Sequence, residues 1–407
     1  MNLIGRSPTA FLSVSVGINL SQFLSCLCFI APNKAITPQK TSKCLSFGCA
    51  YPTPVRIQLP ISQGLSSTSA RVRDHRPSRT MFIYIYLLIA LIGRASAGFD
   101  FKPTHRLKGI RTGDIPQMII LTHDDNTDSR SAKYVTDVTD GFRNPNGCKI
   151  PAVMFTTKQY SDCATVRRLY LEKGYEIGGH TVSHRKTSSL SSSEKKKEVT
   201  EVRNWLIKEC GLPAGDVVGN RMPYLLGDPE LRGYLADAGY LYDSSMPEFY
   251  NSKSSPSGSK KILPYNMKYG IAQMQSCSWF GSNLNKCSKS ERPNLVEIPM
   301  YMYQRGPSKP SVKGLMDPPG AFKVLKREFE RNYRSVNRLP VAIYTHSTST
   351  GFLDKANNRA EVKKFLKWAM KRKNVWVVTY KQWLDYMENP VPASQMASFM
   401  SNYRCGK

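Results

Sequence analysis

Short apolar runs alternate with amphipathic stretches from residue 117 to residue 387, and this alternation restricts the possible folds more than any other feature of the chain. The apolar runs are short and end in polar residues, so they predict strands. The longer stretches repeat apolar side chains every three or four residues, which predicts helices. Such alternation favours a parallel sheet covered by helices. With about seven repeats, we predict an α/β fold that closes into a distorted (β/α) barrel of about seven parallel strands.

The predicted elements follow one another without a visible internal repeat. Strands are expected at 117–122, 152–155, 175–178, 217–220, 240–243, 296–300, 341–345 and 375–378. Helices are expected at 163–173, 193–210, 228–237, 321–333, 360–371 and 379–387. Residues 251–294 are rich in Ser, Gly, Lys and Pro and break this rhythm, so they are interpreted as an insertion loop.

Rare polar residues lie at the ends of the predicted strands, where parallel barrels collect their chemistry. Asp124 and Asp125 follow the first apolar run, His180 and His184 follow the third, and His346 ends a later one. The simplest alternative is an acid pair that caps the next helix together with ordinary structural histidines. That alternative is weakened because the chain has only six histidines in all.

Asp125, His180 and His184 together predict a site for one divalent metal ion. Two histidines four residues apart share a face where the segment is helical, so both imidazoles can reach one ion. Two imidazoles and one carboxylate leave positions open for water and substrate, as in catalytic zinc sites; non-haem iron uses the same ligand types. The order of the ligands along the chain favours hydrolysis over oxygen chemistry.

Five stretches, in order, resemble the motifs of the NodB-type polysaccharide deacetylases, the fourth carbohydrate esterase family. These stretches are Thr122-His123-Asp124-Asp125, His180–His184, Arg221-Met222-Pro223-Tyr224, Asp243-Ser244-Ser245 and His346. The likeness extends from about Asp114 to Asn389 and is closest to the animal chitin deacetylases.

The resemblance implies a catalytic role for each matching residue. Asp124 would be the general base, held in place by Arg221, and His346 would be the general acid that protonates the leaving amine. Tyr224 would offer its backbone N–H to the oxyanion, and Asp243 would be the partner that raises the basicity of His346. Amide hydrolysis needs a base and an acid, so this set is chemically complete.

The resemblance also implies the cofactor and the substrate. Asp125, His180 and His184 would hold Zn²⁺, with Co²⁺ as an alternative. The substrate would be the N-acetylglucosamine units of chitin or another N-acetylated polysaccharide, including peptidoglycan. A catalytically weak chitin- or matrix-binding protein on the same fold is the alternative function, although binding alone needs neither Asp124 nor His346.

Two positions depart from the family pattern. His123 stands where the family usually has Phe; we interpret it as a packed aromatic substitute, the alternative being a polar group that perturbs Asp124. Leu295 and Val296 precede Glu297 without the Trp that animal relatives often carry there, which affects the expected substrate preference.

The N-terminal region predicts export from the cell. Residues 81–97 combine an apolar core with the small-residue exit Ala95-Ser96-Ala97, which is typical of a secretory signal. Residues 1–80 are interpreted as a disordered leader or a gene-model extension. We therefore expect a secreted protein with a deacetylase domain at 98–389, a C-terminal tail at 390–407 and no stable membrane insertion.

The cysteines agree with a secretory context. Six of the ten follow the predicted signal, namely Cys148, Cys163, Cys210, Cys277, Cys287 and Cys405. Up to three disulfides are expected, and the sequence leaves their pairing open. Cys277 and Cys287 could clamp the insertion loop, and Cys405 could pin the tail.

The net charge of +28 would suit an anionic partner. The sequence contains no nucleic-acid-binding motif, and no aromatic stripe is interleaved with the cations. We therefore expect a basic solvated surface on a monomer, with the polysaccharide as partner and no nucleic acid.

Overall fold

The computed structural model describes residues 98–248, 261–272, 275, 286–288, 290–303, 316–347 and 351–406. The predicted leader at 1–80, the predicted signal at 81–97 and Cys277 lie outside these described residues. No helix in the described ranges is both long and apolar enough to cross a membrane.

Strands and helices alternate along the described chain. The strands are β1 Gln117–Asn126, β2 Val153–Thr157, β3 Glu176–Gly179, β4 Gly219–Asn220, β5 Tyr242–Asp243, β6 Tyr265–Asn266, β7 Val296–Glu297, β8 Val341–His346 and β9 Val375–Val377. The helices are α1 Ser129–Thr139, α2 Cys163–Lys173, α3 Ser192–Lys208, α4 Pro229–Ala238, α5 Ala321–Tyr333, α6 Ala356–Ala369, α7 Tyr380–Glu388 and α8 Met396–Met400. Short 3₁₀ turns include Thr187–Ser189 and Pro223–Leu225.

The strands form one mostly parallel sheet that curls into a half-barrel, which confirms the predicted fold class. Its order is β6-β7-β5-β4-β3-β2-β1-β8, and β9 pairs with the start of β1. Among the strands that the structure describes, only β6 runs antiparallel, against β7. The sequence did not predict β6, which lies inside the expected insertion loop.

The two faces of the sheet are buried in different ways. On β1, Ile119 and Leu121 pack in one cluster with helix residues such as Val166. Ile120, between them, packs in a second cluster with aromatic side chains of other strands, among them Phe155. Because both faces are covered, β1 is a continuous apolar run rather than an alternating one.

Capping residues set the helix ends. Asp162 accepts a hydrogen bond from the Thr165 N–H at the start of α2, and Gly174 ends that helix in the left-handed region. The predicted bounds of α2 and α5 are confirmed. Helix α1 was missed, although Asp128 and Ser131 form a capping box at its start.

Two disulfides join distant parts of the described chain. Cys163 bonds to Cys210, which ties the start of α2 to the residues after α3. Cys148 bonds to Cys405, so the C-terminal tail is pinned as expected. Cys287 is also disulfide-bonded.

Candidate metal centre and active site

Asp125, His180 and His184 form a compact group at the C-terminal edge of the sheet. Their ligand atoms all lie within 4.8 Å of one another. The Oδ1 atom of Asp125 is 3.0 Å from Nε2 of His184 and 3.6 Å from Nε2 of His180. Burial would raise the pKa of the Asp125 carboxyl, but the two neighbouring imidazoles outweigh it and hold the pKa well below its ordinary value.

The donor set fits a small divalent cation. The Nδ1 atom of His180 lies 2.7 Å from the carbonyl oxygen of Arg221. A carbonyl can only accept, so Nδ1 carries the proton and the lone pair of Nε2 faces Asp125. This orientation by a second hydrogen bond is what metal-binding histidines in proteins use.

The segment that carries the two histidines is a loop, and the expectation of a shared helical face is wrong. His180 follows the end of β3, and both Thr181 and His184 have positive φ, at 67° and 57°. These turns, rather than a helical repeat, bring the two rings to a centroid distance of 5.2 Å. Glu198 of α3 holds this loop by accepting hydrogen bonds from the N–H groups of Val182 and Ser183 at 2.7 and 2.9 Å.

Sequence reasoning missed Glu198. Its side chain is buried, and it also accepts a hydrogen bond from the Ser183 hydroxyl at 2.5 Å. The sequence pattern did not distinguish Glu198 from the other charged residues of a basic helix. Glu198 directly precedes Val199 on the apolar face of α3, and this position is the signal that could have indicated a buried carboxylate.

Asp124 and Arg221 form a buried ion pair beside the metal group. The Nη1 atom of Arg221 is 2.8 Å from Oδ1 of Asp124, and the two side chains are 0% and 2% exposed. The same guanidinium donates to the Thr122 hydroxyl and to the Ser244 carbonyl at 2.9 and 2.8 Å. Its charge also lies 4.3 Å above the ring of Phe155. Asp124 is thus held in one orientation by a buried guanidinium that is itself fixed by hydrogen bonds.

His346 lies beside Asp124, because their Cα atoms are partners in the β1–β8 ladder. Its Nδ1 atom is 2.7 Å from Oδ2 of Asp317, whose other oxygen accepts from the backbone N–H of His346 at 2.9 Å. Burial opposes protonation of His346, but the hydrogen bond and charge of Asp317 outweigh it and raise the pKa to about 9.

The expectation that Asp243 is the partner of His346 is therefore wrong. Asp243 accepts hydrogen bonds from the Asn220 amide at 2.9 Å and the Ser245 hydroxyl at 2.8 Å. It lies on β5, whose paired neighbours are β4 and β7, whereas His346 lies on β8. Burial raises the pKa of Asp243. Asp317 lies in a turn before α5 without a periodic pattern, which is why the sequence did not indicate it.

Tyr224 lies at the rim of the metal group. Its ring centroid is 4.9 Å from that of His184, and its side chain is about half exposed. Its backbone is in the left-handed region, with φ of 57°. A bulky residue adopts this conformation only rarely.

His123 is packed below the site. Its side chain is 1% exposed, and Nε2 lies 2.5 Å from the hydroxyl of Ser347, next to His346. Burial lowers the pKa of His123 to about 4, against the opposing charge of Asp125. The imidazole is therefore neutral near pH 7.

The family described as "Polysaccharide deacetylase" matches residues 113–242, a range that includes Asp124, His180 and Arg221. The chain is therefore similar to the polysaccharide deacetylase family over residues 113–242.

Individual relatives agree with this family. The chain is 26% identical to Chitin deacetylase 1 of Bombyx mori over 70% of its own length and 53% of that protein. It is 25% identical to Chitin deacetylase 8 of Bombyx mori over 70% of its own length and 74% of that protein. The chain thus spans about half the length of the first of these relatives. A family 4 carbohydrate esterase from Streptomyces lividans is 14% identical, with a TM-score of 0.35 over 65% of this chain and 92% of that one.

Proposed function

We propose that this protein is a secreted, metal-dependent hydrolase that removes acetyl groups from N-acetylglucosamine units of chitin or a similar polysaccharide. One observation carries the proposal: the Asp125–His180–His184 group, the Asp124–Arg221 pair and the His346–Asp317 pair converge at one edge of the sheet. The names of the two Bombyx mori relatives support chitin as the substrate.

Asp125, His180 and His184 would hold one divalent cation, with Zn²⁺ as the first candidate and Co²⁺ as the second. When bound, such a cation lowers the pKa of water and polarises the acetyl carbonyl. The fixed tautomer of His180 supports this role, since its Nε2 lone pair is directed at the group rather than into the fold.

Asp124 would act as the general base and take a proton from the attacking water. Arg221 holds that carboxylate in place through the ion pair at 2.8 Å. His346 would act as the general acid and protonate the leaving nitrogen, which must happen as the amide C–N bond breaks. The backbone N–H of Tyr224, at the rim of the site, would stabilise the oxyanion.

The chain organisation is part of the proposal. Residues 1–80 would be a leader, 81–97 a secretory signal, 98–389 the catalytic domain with the insertion at 251–294, and 390–407 a tail. The disulfides Cys148–Cys405 and Cys163–Cys210 support an oxidising compartment. We propose that the secreted form is a monomer.

Acetate release from N-acetylglucosamine oligomers tests the proposal. We expect removal of divalent cations by chelation to lower the rate at least about 10²-fold, because water activation is lost. Added Zn²⁺ or Co²⁺ should restore it, and elemental analysis should find one metal ion per chain. If the metal-loaded protein binds the oligomers but releases no acetate from any acetylated sugar, it is the binding protein instead.

The pH dependence of kcat tests the proposed role of His346 as the general acid. His346 carries its proton below a pKa of about 9 and loses it above, so kcat should fall as the pH rises through that value. Replacing Asp317 with Asn removes the hydrogen bond and charge that raise the pKa of His346 most. We expect Asp317→Asn to move the alkaline limb toward the ordinary histidine value of about 6.5, as measured by kcat between pH 5 and 10. If the fall in kcat at alkaline pH stays at the same pH in Asp317→Asn, that fall is due to a group other than His346.

A further inference from the structure

Tyr160 is the most exposed large apolar side chain in the described part of the chain. It is 78% exposed and makes no hydrogen bond or ring contact with other described residues. Its φ is 69°, a conformation that glycine or asparagine adopts more readily than a bulky residue. Packing does not require this side chain, so its place in the structure points to a contact made outward.

The loop that carries Tyr160 is held on both sides. Before it, the N–H groups of Lys158 and Gln159 donate to the carbonyls of Thr181 and Val182 at 3.1 and 2.8 Å. After it, the Ser161 hydroxyl donates to the Thr157 carbonyl at 2.5 Å. The same hydroxyl accepts from the Thr127 N–H at 2.7 Å. The ring is therefore presented from a fixed backbone.

That backbone is fixed to the elements that carry the metal group. Thr181 and Val182 lie between His180 and His184, and Thr127 follows β1 just after Asp125. One cavity of about 220 Å³ is lined by Asp125, Asn126, Thr157, Gln159, Tyr160 and His184. Tyr160 thus shares a cavity with two of the proposed metal ligands, and the ring of Tyr224 packs against His184 as well.

We propose that Tyr160 is a stacking platform for the sugar ring next to the one that is deacetylated. This inference rests on the proposed function. A pyranose ring presents a face of C–H groups that packs on an aromatic ring, while its hydroxyls stay in water. A tyrosine loses little side-chain entropy on binding, because only two torsions are fixed. Tyr160 would set how tightly and in which register the polymer lies across the site.

The test compares Tyr160→Ala with Tyr160→Phe and Tyr160→Trp in the full chain. We expect Tyr160→Ala to raise KM for N-acetylglucosamine hexamer about three- to tenfold and to leave kcat within about twofold. Phe and Trp keep the aromatic face and should keep KM. The melting temperature should move by less than about 2 °C, because an exposed side chain adds little to stability.

Tyr269→Ala is the matched control, since Tyr269 is also an exposed tyrosine and contacts Asp100 and Lys102 instead of the metal group. Its KM should not change. Hexamer binding, measured by calorimetry in an Asp124→Asn background, separates this proposal from the proposed function. If the wild type releases no acetate but Tyr160→Ala still weakens hexamer binding, the stacking role of Tyr160 is supported and the deacetylase function is rejected. Acetate release with KM and affinity unchanged in Tyr160→Ala overturns the platform.

Discussion

Asp124→Asn is expected to lower kcat for acetate release about 10²–10⁴-fold, the range for loss of a general base. The amide of Asn has the size of the carboxylate but cannot take a proton from water. Asp124 is not in the group of candidate metal ligands, so the metal content should stay at the wild-type value. The measurement is steady-state acetate release together with elemental analysis of the purified variant.

Asp243→Asn is the matched control for this experiment. Asp243 is also a buried carboxyl at the end of a strand, but it accepts hydrogen bonds from Asn220 and Ser245 and not from His346. We expect Asp243→Asn to keep kcat within about threefold, since burial already raises the pKa of this group. Full activity in Asp124→Asn, or equal losses in both variants, would remove Asp124 from the base role.

Arg221→Met is expected to lower the free energy of unfolding by about 3–5 kcal/mol, the cost of removing one partner of a buried ion pair. The Met side chain fills part of the volume but leaves Asp124 buried without its cation. It also removes the hydrogen bonds to Thr122 and Ser244. Denaturant unfolding followed by tryptophan fluorescence measures the difference.

The double variant Arg221→Met, Asp124→Asn sharpens this test. Removing both charges removes the unpaired buried carboxylate, so the double variant should be more stable than Arg221→Met alone. The coupling between the two sites then isolates the ion pair from the lost packing. A loss below about 1 kcal/mol in Arg221→Met would show that solvent reaches Asp124 and that the pair is not buried in solution.

The sheet edge could be predicted from the sequence because parallel strands end together. Asp124, His180 and His346 are far apart in sequence, yet each follows or ends an apolar run. The collection of functional residues at the C-terminal ends of parallel strands therefore predicts all three on one edge. The predicted end of β1 was early, since the strand continues through Asn126 and the acids belong to it.

What the sequence could not supply depends on loops. Asp317 precedes α5 in a turn, and its carboxylate reaches His346 only because the chain returns to the C-terminal end of β8. The positive φ of Thr181 has no propensity signal, because a β-branched residue disfavours that region. Glu198 is similar, because its role depends on a loop that curls over the start of its helix.

The Cys148–Cys405 bond has a consequence for how this protein would respond to proteolytic cleavage. The two cysteines are 257 residues apart, and His180, Arg221 and His346 all lie between them. A single cut by a protease anywhere in that interval leaves both pieces covalently attached. Damage of this kind would stay invisible until the disulfide is reduced, and a nicked molecule could keep its site assembled.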